Sequence, residues 1–385
     1  MSDLLRLRPV ATADMIAVFA DAATIVHACA FETALARAQA AHGILAPELA
    51  EAIVAGVDPA RIDVAELAEE AALAGTLAIP LVARLRAMVD GDAARALHRG
   101  ATSQDVADTV LMRQVRAAHR LLADDGRRVR DGLAALARDH AERPAIGRTL
   151  LQDAMPVAFG LRLAQAARGI DDALAMLDAA VERHACLQLG GAAGTRAGMD
   201  GKGAAVAAHM AEALGLGSAV PWHARRTGVA AIGAAVGLLI GAFGKVARDV
   251  ALLAQNGVGE ASEPQVAGRG GSSAMAHKRN PTGCQVALSA ATRAPGLVAS
   301  LLGGMAQEQE RGLGGWQAEA PVLTDLFLLA AGSAAAMAVV AEGLEIDTAA
   351  ITRNLATAAV GDDIGESAAI IADLLNGMGG VTSWR

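Results

Sequence analysis

Gly268-Arg269-Gly270-Gly271-Ser272-Ser273-Ala274-Met275-Ala276-His277-Lys278-Arg279-Asn280-Pro281 is the stretch on which the reading of this chain turns. Three glycines in four residues let the backbone take positive φ and aim its amides at one point, the geometry of an anion-binding nest. Two hydroxyls follow, then three side chains able to carry positive charge, His277, Lys278 and Arg279. Asn280-Pro281 leads into an apolar segment of helical character. A loop that gathers donors and cations beside a hydroxyl is expected to hold an anionic small molecule. The competing reading is an ordinary solvated Gly/Ser connection.

Working outward, two more polar clusters interrupt long apolar runs. In Leu97-His98-Arg99-Gly100-Ala101-Thr102-Ser103-Gln104-Asp105, Thr102 and Asp105 have the spacing of a capping box. Ala107, Val110, Leu111, Val115, Ala118, Leu121 and Leu122 then recur at helical period. Capping accounts for Thr102 and Asp105 but not for His98, Ser103 and Gln104. The second cluster, Gly147 to Gly160, carries Thr149 and Gln152, which by themselves read as helix-end polar residues. Gln188 to Gly203 is glycine-rich but lacks a P-loop ending, so a bend between long helices is expected there, with Thr195 a weak candidate for lining a site. Arg226 to about Gly257 reads as one long helix, and no segment alternates with period two, so the whole chain is expected to be helical and without internal repeats.

Bulk composition is consistent with that expectation. Hydrophobic residues are 54% and charged residues 19% of 385, while aromatics are 2% and tyrosine is absent, which leaves Ala, Leu, Val and Ile to build the core. A net charge of −8 argues against nucleic acid as a partner. Thr227 to Gly244 has no charge in 18 residues, at the lower limit for a membrane span, yet its Gly and Ala content favours a helix at the centre of an oligomeric bundle. Cys29, Cys186 and Cys284 show no metal spacing and read as buried thiols of a reducing cytoplasm. His27 and His42 read as satisfied helix-end or surface histidines, and the N-terminus offers no apolar stretch of signal-peptide type.

Gly271 to Pro281 resembles, at ten of eleven positions, the fumarase/aspartase superfamily signature Gly-Ser-Ser-x-Met-Pro-x-Lys-x-Asn-Pro, with Ala276 where proline is usual. His98 to Asp105 resembles the superfamily's substrate-carboxylate region, and Thr149 to Gly160 its Thr-x-x-Gln-x-Ala-x-Pro-x-x-x-Gly motif. The resemblance implies an all-α, three-domain fold with a long central helix bundle that packs into a tetrameric 20-helix core. The implied divisions are an N-terminal helical domain over 1–100, a central bundle over 101–344 containing loop 268–281, and a short C-terminal helical region over 345–385. It further implies addition to, or elimination across, a carbon–carbon double bond beside a carboxylate, with a small polycarboxylate as substrate and no cofactor or metal. By that analogy Ser272 is the proton-transferring residue with Lys278 beside it, and Asn280, Ser273 and Met275 contact substrate. His98, Ser103, Gln104, Thr149, Gln152 and Arg311 complete the pocket from segments that meet across subunits. Arg99, Arg148 and Arg279 join Lys278 and Arg311 as candidates to offset substrate charge.

Which reaction the chain performs depends on one position. In the superfamily's adenylosuccinate lyases a histidine follows the threonine of the second motif, whereas here it is Leu150, which moves no proton. Leu150, the Ala101-Thr102-Ser103-Gln104-Asp105 variant and the Glu310-Arg311…Trp316…Glu319 segment resemble the superfamily's muconate-cycloisomerising members. On its own the last segment reads equally well as an exposed charged connection. A fumarate-releasing lyase and a non-catalytic helical scaffold stay open as alternatives.

Overall fold

In the computed structural model, residues 4–271, 275 and 278–379 are described. Seven helices precede the bundle: α1 Leu4–Leu7, α2 Ala13–Val18, α3 Asp21–Ala41, α4 Pro47–Gly56, α5 Val64–Ala74, α6 Ala78–Arg86 and α7 Gly91–Ala96. Then come α8 Ser103–Asp139, strands β1 Pro144–Thr149 and β2 Gln152–Ala158, α9 Phe159–His184, α10 Gly203–Leu214 and α11 Thr227–Leu253. Strand β3 Ala261–Ser262, α12 Thr282–Gly303, α13 Glu319–Gly343, β4 Glu345–Ile346, α14 Thr348–Ala358 and α15 Ser367–Leu375 finish the chain.

The five long helices α8, α9, α11, α12 and α13 run alternately up and down. Gly126 of α8 meets Leu174 of α9, while Gly160 at the start of α9 lies over the end of α8, so the pair is antiparallel. Gly233, Gly237 and Gly244 of α11 face Leu301, Val298 and Ala291 of α12 in reverse order. Scarcity of aromatics explains this architecture: with Gly and Ala at the contacts, helix axes approach closely and alanine methyls fill the seams. A Cβ on Gly160 would lie 2.2 Å from the Ala137 carbonyl oxygen, which accounts for the glycine that closes the second motif.

α11 and α13 are apolar all round and more than half buried within the chain, and each is long and apolar enough to cross a membrane. α12 meets the same length and composition criterion, yet only 22% of its apolar window is buried within the chain. An apolar bundle helix this open is a surface of the kind that packs against another apolar surface.

The expectation of an entirely helical chain is corrected at two places. β1 and β2 form an antiparallel hairpin whose Thr149 and Gln152 pair across a two-residue tip, and β3 pairs with β4. Pro144 and Pro156 bar a continuous helix through this segment, because each lacks the amide that a helix interior requires. Thr149 and Gln152 are therefore hairpin residues, not helix-end residues. Cys29 and Cys284 are buried as expected, but Cys186 is only half-buried.

His27 also departs from expectation. Its Nδ1 is buried without a hydrogen-bond partner among the described residues. Its pKa falls from 6.5 to about 4 because burial disfavours the imidazolium, with Arg113 adding repulsion. The unfolded chain takes up this proton first, so the contribution of neutral His27 is complete above pH ~6.5 and is lost as pH falls toward about 4. Urea midpoints at pH 7 and pH 5 should differ less in His27→Gln than in the parent protein.

Candidate functional site

At one end of the bundle, helix α8 opens on the capping box of Thr102 and Asp105, the Thr102 amide donating to Asp105 Oδ2 at 3.0 Å. Asp105 is fully buried and does more than cap. It accepts the amides of Gly190 and Gly191, both at 2.9 Å, and faces His223 Nε2 at 2.7 Å. The glycine-rich bend thus supplies amides to a carboxylate of the chain itself. A Cβ at Gly190 would sit 2.6 Å from the His223 ring, so this close approach needs glycine.

Arg311 reaches this helix start from the connection between α12 and α13. It donates to Thr102 Oγ1 at 2.8 Å, Ser103 Oγ at 3.2 Å and Gln104 Oε1 at 3.4 Å. Among the described residues these partners are all neutral, so its charge is not cancelled. Ser103, Gln104 and Arg311, far apart in sequence, form one cluster. Gln104 itself is fully buried, with its amide nitrogen on the His223 carbonyl at 3.0 Å, so it acts in this chain by orienting Arg311.

Beneath the cluster lies an ion triad that single residues did not announce. Arg226 donates to Asp108 Oδ1 at 2.8 Å and Oδ2 at 2.9 Å, to Glu319 Oε1 at 2.9 Å, and closely to Glu319 Oε2. Its guanidinium also lies 4.7 Å from the Trp222 ring centroid. Burial works against the Arg226 charge, but Asp108 and Glu319 outweigh it and raise its pKa. The Glu319 pKa is also raised, by burial first, which Arg226 only partly offsets. Glu319 closes the Glu310-Arg311…Trp316 segment, so its reading as an exposed connection does not hold there.

At the opposite end stand the other two motifs. Leu150 and Leu151 occupy the hairpin tip at φ 53° and 64°, left-handed values that are strained for side chains of this size. They are 96% and 79% exposed. Arg148 is bound to buried Glu260 at 2.6 and 3.0 Å, and Arg279 to Glu345 at 3.0 Å, so carboxylates of the chain already neutralise both. Arg99 and Lys278 are exposed. The α12 amides of Gly283 and Cys284 are occupied by Glu263 at 2.9 and 2.7 Å.

Gly268 and Gly270 take positive φ, and the Asn280 amide donates to the Gly270 carbonyl at 2.8 Å, closing the base of the signature loop. Asn280 Nδ2 adds a bond to the Gly271 carbonyl at 3.2 Å. Met275 lies in the same loop and is 43% exposed. Ser272 and Ser273 fall outside the described residues.

The Ser103–Arg311 cluster, with His98 on the turn just before α8, and the two motifs at the hairpin end are separated by the length of the bundle. The 26 residues of α9 span on the order of 40 Å. Among the described residues, nothing within one chain brings them together.

An antiparallel helical bundle with an anion-ready cluster at one end and a glycine signature loop at the other defines a lyase-type chain, and the family profile described as a lyase matches residues 11–296. The chain belongs to this lyase family. It is 44% identical over 348 residues to the 3-carboxy-cis,cis-muconate cycloisomerase of Bradyrhizobium diazoefficiens, covering 89% of this chain and 77% of that protein. It is 40% identical to the nitrosuccinate lyase of Streptomyces davaonensis, over 88% of this chain and 74% of that one. Its fold superposes on the crystal structure of the 3-carboxy-cis,cis-muconate lactonizing enzyme from Pseudomonas putida with a TM-score of 0.86 at 38% identity, covering 92% of this chain and 79% of that one. Among the described residues no group of three or more His, Cys, Asp or Glu is placed to hold a metal ion.

Proposed function

We propose that this chain lactonises 3-carboxy-cis,cis-muconate to 4-carboxymuconolactone, a step in the breakdown of protocatechuate, in the cytoplasm. The observation that carries the reading is a cation that the described residues hold through neutral groups, Arg311, combined with a hairpin tip, Leu150-Leu151, that contains no proton-moving group. A fumarate-releasing lyase of the adenylosuccinate type needs an acid/base group at that tip. Cycloisomerisation does not, because the nucleophile is a carboxylate of the substrate. The cycloisomerase names of the relatives support the same choice.

In the proposed step a substrate carboxylate oxygen forms a C–O bond to the diene. The displaced electron pair passes into the carbon beside a second carboxylate, as an aci-carboxylate. That carbon then takes one proton, so a tricarboxylate carrying three charges leaves as a lactone carrying two. Arg311, with the hydroxyls of Thr102 and Ser103, holds substrate carboxylate oxygen, and fixed donors of this kind act most strongly where charge accumulates. Ser272 delivers the proton, and Lys278 steadies the resulting oxyanion. Ser273, Met275, Asn280, Thr149, Gln152 and His98 line the rest of the pocket.

Because the contributing segments lie at opposite ends of the bundle, the pocket is assembled between copies of the chain. The open face of α12 supplies the surface for that association, and a homotetramer with shared sites is the arrangement we propose. The divisions 1–100, 101–344 and 345–385 would then act as loop support, shared core and peripheral cover.

Mixing purified protein with 3-carboxy-cis,cis-muconate tests the reading directly. The ultraviolet absorbance of the conjugated diene should decay at an enzymic rate, since lactonisation breaks the conjugation. Stable absorbance together with fumarate release from adenylosuccinate or argininosuccinate would replace this reading with a lyase.

A further inference from the structure

The loop that leads into α8 is gripped by a single face of α3. Glu32 and Gln39 stand seven residues apart, two helical turns, and therefore on one side of that helix. Gln39 Nε2 donates to the Arg99 carbonyl at 2.7 Å, and Glu32 Oε1 meets His98 Nδ1 at 2.6 Å. His98 takes φ 66°, a left-handed backbone that a non-glycine residue keeps only when its surroundings impose it.

The Glu32 side chain is fully enclosed, and its Oε2 is buried without a hydrogen-bond partner among the described residues. A carboxylate in that position costs free energy unless a positive charge faces it. The structure offers the His98 imidazole for this purpose. A carboxylate only accepts, so the hydrogen of the imidazole sits on Nδ1. The opposite nitrogen, Nε2, has no protein partner among the described residues, and the side chain keeps 16% of its surface exposed.

We infer that Glu32 is a positioning residue that locks the His98 ring by its Nδ1 edge, so that Nε2 is presented as a charged donor to a substrate carboxylate beside the Thr102, Ser103 and Arg311 cluster. The inference rests on the proposed substrate class. It adds a function for α3 that the polar motifs themselves do not contain. Burial acts most strongly on His98 and works against its charge, and Arg86 from α6 opposes it too, but Glu32 from α3 and Asp105 from α8 together outweigh both, so the His98 pKa moves upward.

The test compares Glu32→Gln, Gln39→Ala and His98→Gln with the parent protein, reading KM and kcat for 3-carboxy-cis,cis-muconate against pH and the His98 ring titration by NMR. Glu32→Gln keeps the shape and an acceptor but removes the charge. It should raise KM about tenfold near neutral pH with kcat changed no more than about twofold, and move the His98 titration to lower pH. The alkaline limb of the KM profile should move with it and vanish in His98→Gln. Gln39→Ala loosens the same loop without touching the ring and should leave the titration in place.

An unchanged His98 titration in Glu32→Gln overturns the inference, and so does an equal rise in KM from Gln39→Ala, which would reduce Glu32 to a structural clasp. If the parent protein leaves carboxymuconate untouched, the proposed function fails, and the presentation of His98 to that substrate falls with it. The ring titration then still decides whether Glu32 sets the charge of His98.

Discussion

Ser272→Ala is expected to lower kcat for 3-carboxy-cis,cis-muconate by roughly 10²- to 10⁴-fold, the range typical of removing a positioned acid or base, while KM changes little. The argument is chemical. Carbon protonation is the one step for which the substrate has no group of its own, and alanine removes the donor without disturbing the cations that bind carboxylate. Arg311→Ala should behave differently and raise KM, since it removes the charge that Thr102, Ser103 and Gln104 hold in place.

Arg311 and Gly271, the described residue that precedes Ser272, lie at opposite ends of each chain. Co-assembly of the two inactive variants should therefore restore part of the activity, because some pockets receive an intact Arg311 end from one copy and an intact Ser272 loop from another. Turnover by the co-expressed mixture, set beside each variant alone, measures this. A mixture as inactive as its parents would sink the shared pocket, and full activity in Ser272→Ala would sink the role of the serine.

The second large effect concerns stability. Arg226→Leu should cost about 3–5 kcal/mol, because it strands Asp108 and Glu319 in a buried site with no opposing charge. Taking three charged groups out of water costs about as much as their mutual attraction returns, so the triad serves more to define how α8, α11 and α13 meet than to supply stability. Replacing all three members with apolar residues of similar volume should accordingly recover most of the loss. Unfolding midpoints in urea for the single and triple variants decide the point. A triple variant as unstable as Arg226→Leu would make the ion triad a net source of stability.

Much of the candidate site was legible along the chain because its signals are local. The capping box at Thr102 and Asp105, the period of α8, the long α11 and the positive φ at Gly268 and Gly270 each depend on neighbours within a few residues. The hairpin was misread for a related reason. Two short strands containing Gly147 and Pro156 show little alternation, and their pairing is fixed by the tip and by contact with α9 and α14. The two prolines were the available clue.

Which cations remain uncommitted was not legible at all. Arg148, Arg279 and Arg311 look equivalent in sequence, yet Glu260 and Glu345 take the first two and leave the third on neutral groups. Sequence by itself determined the helical class, the polar motifs and the family to which they belong, since periodicity and capping are properties of adjacent residues. Tertiary structure alone decided that those motifs stand at opposite ends of a bundle and that Glu32 reaches His98. Such pairings are made across dozens of residues, and only the packed chain selects them.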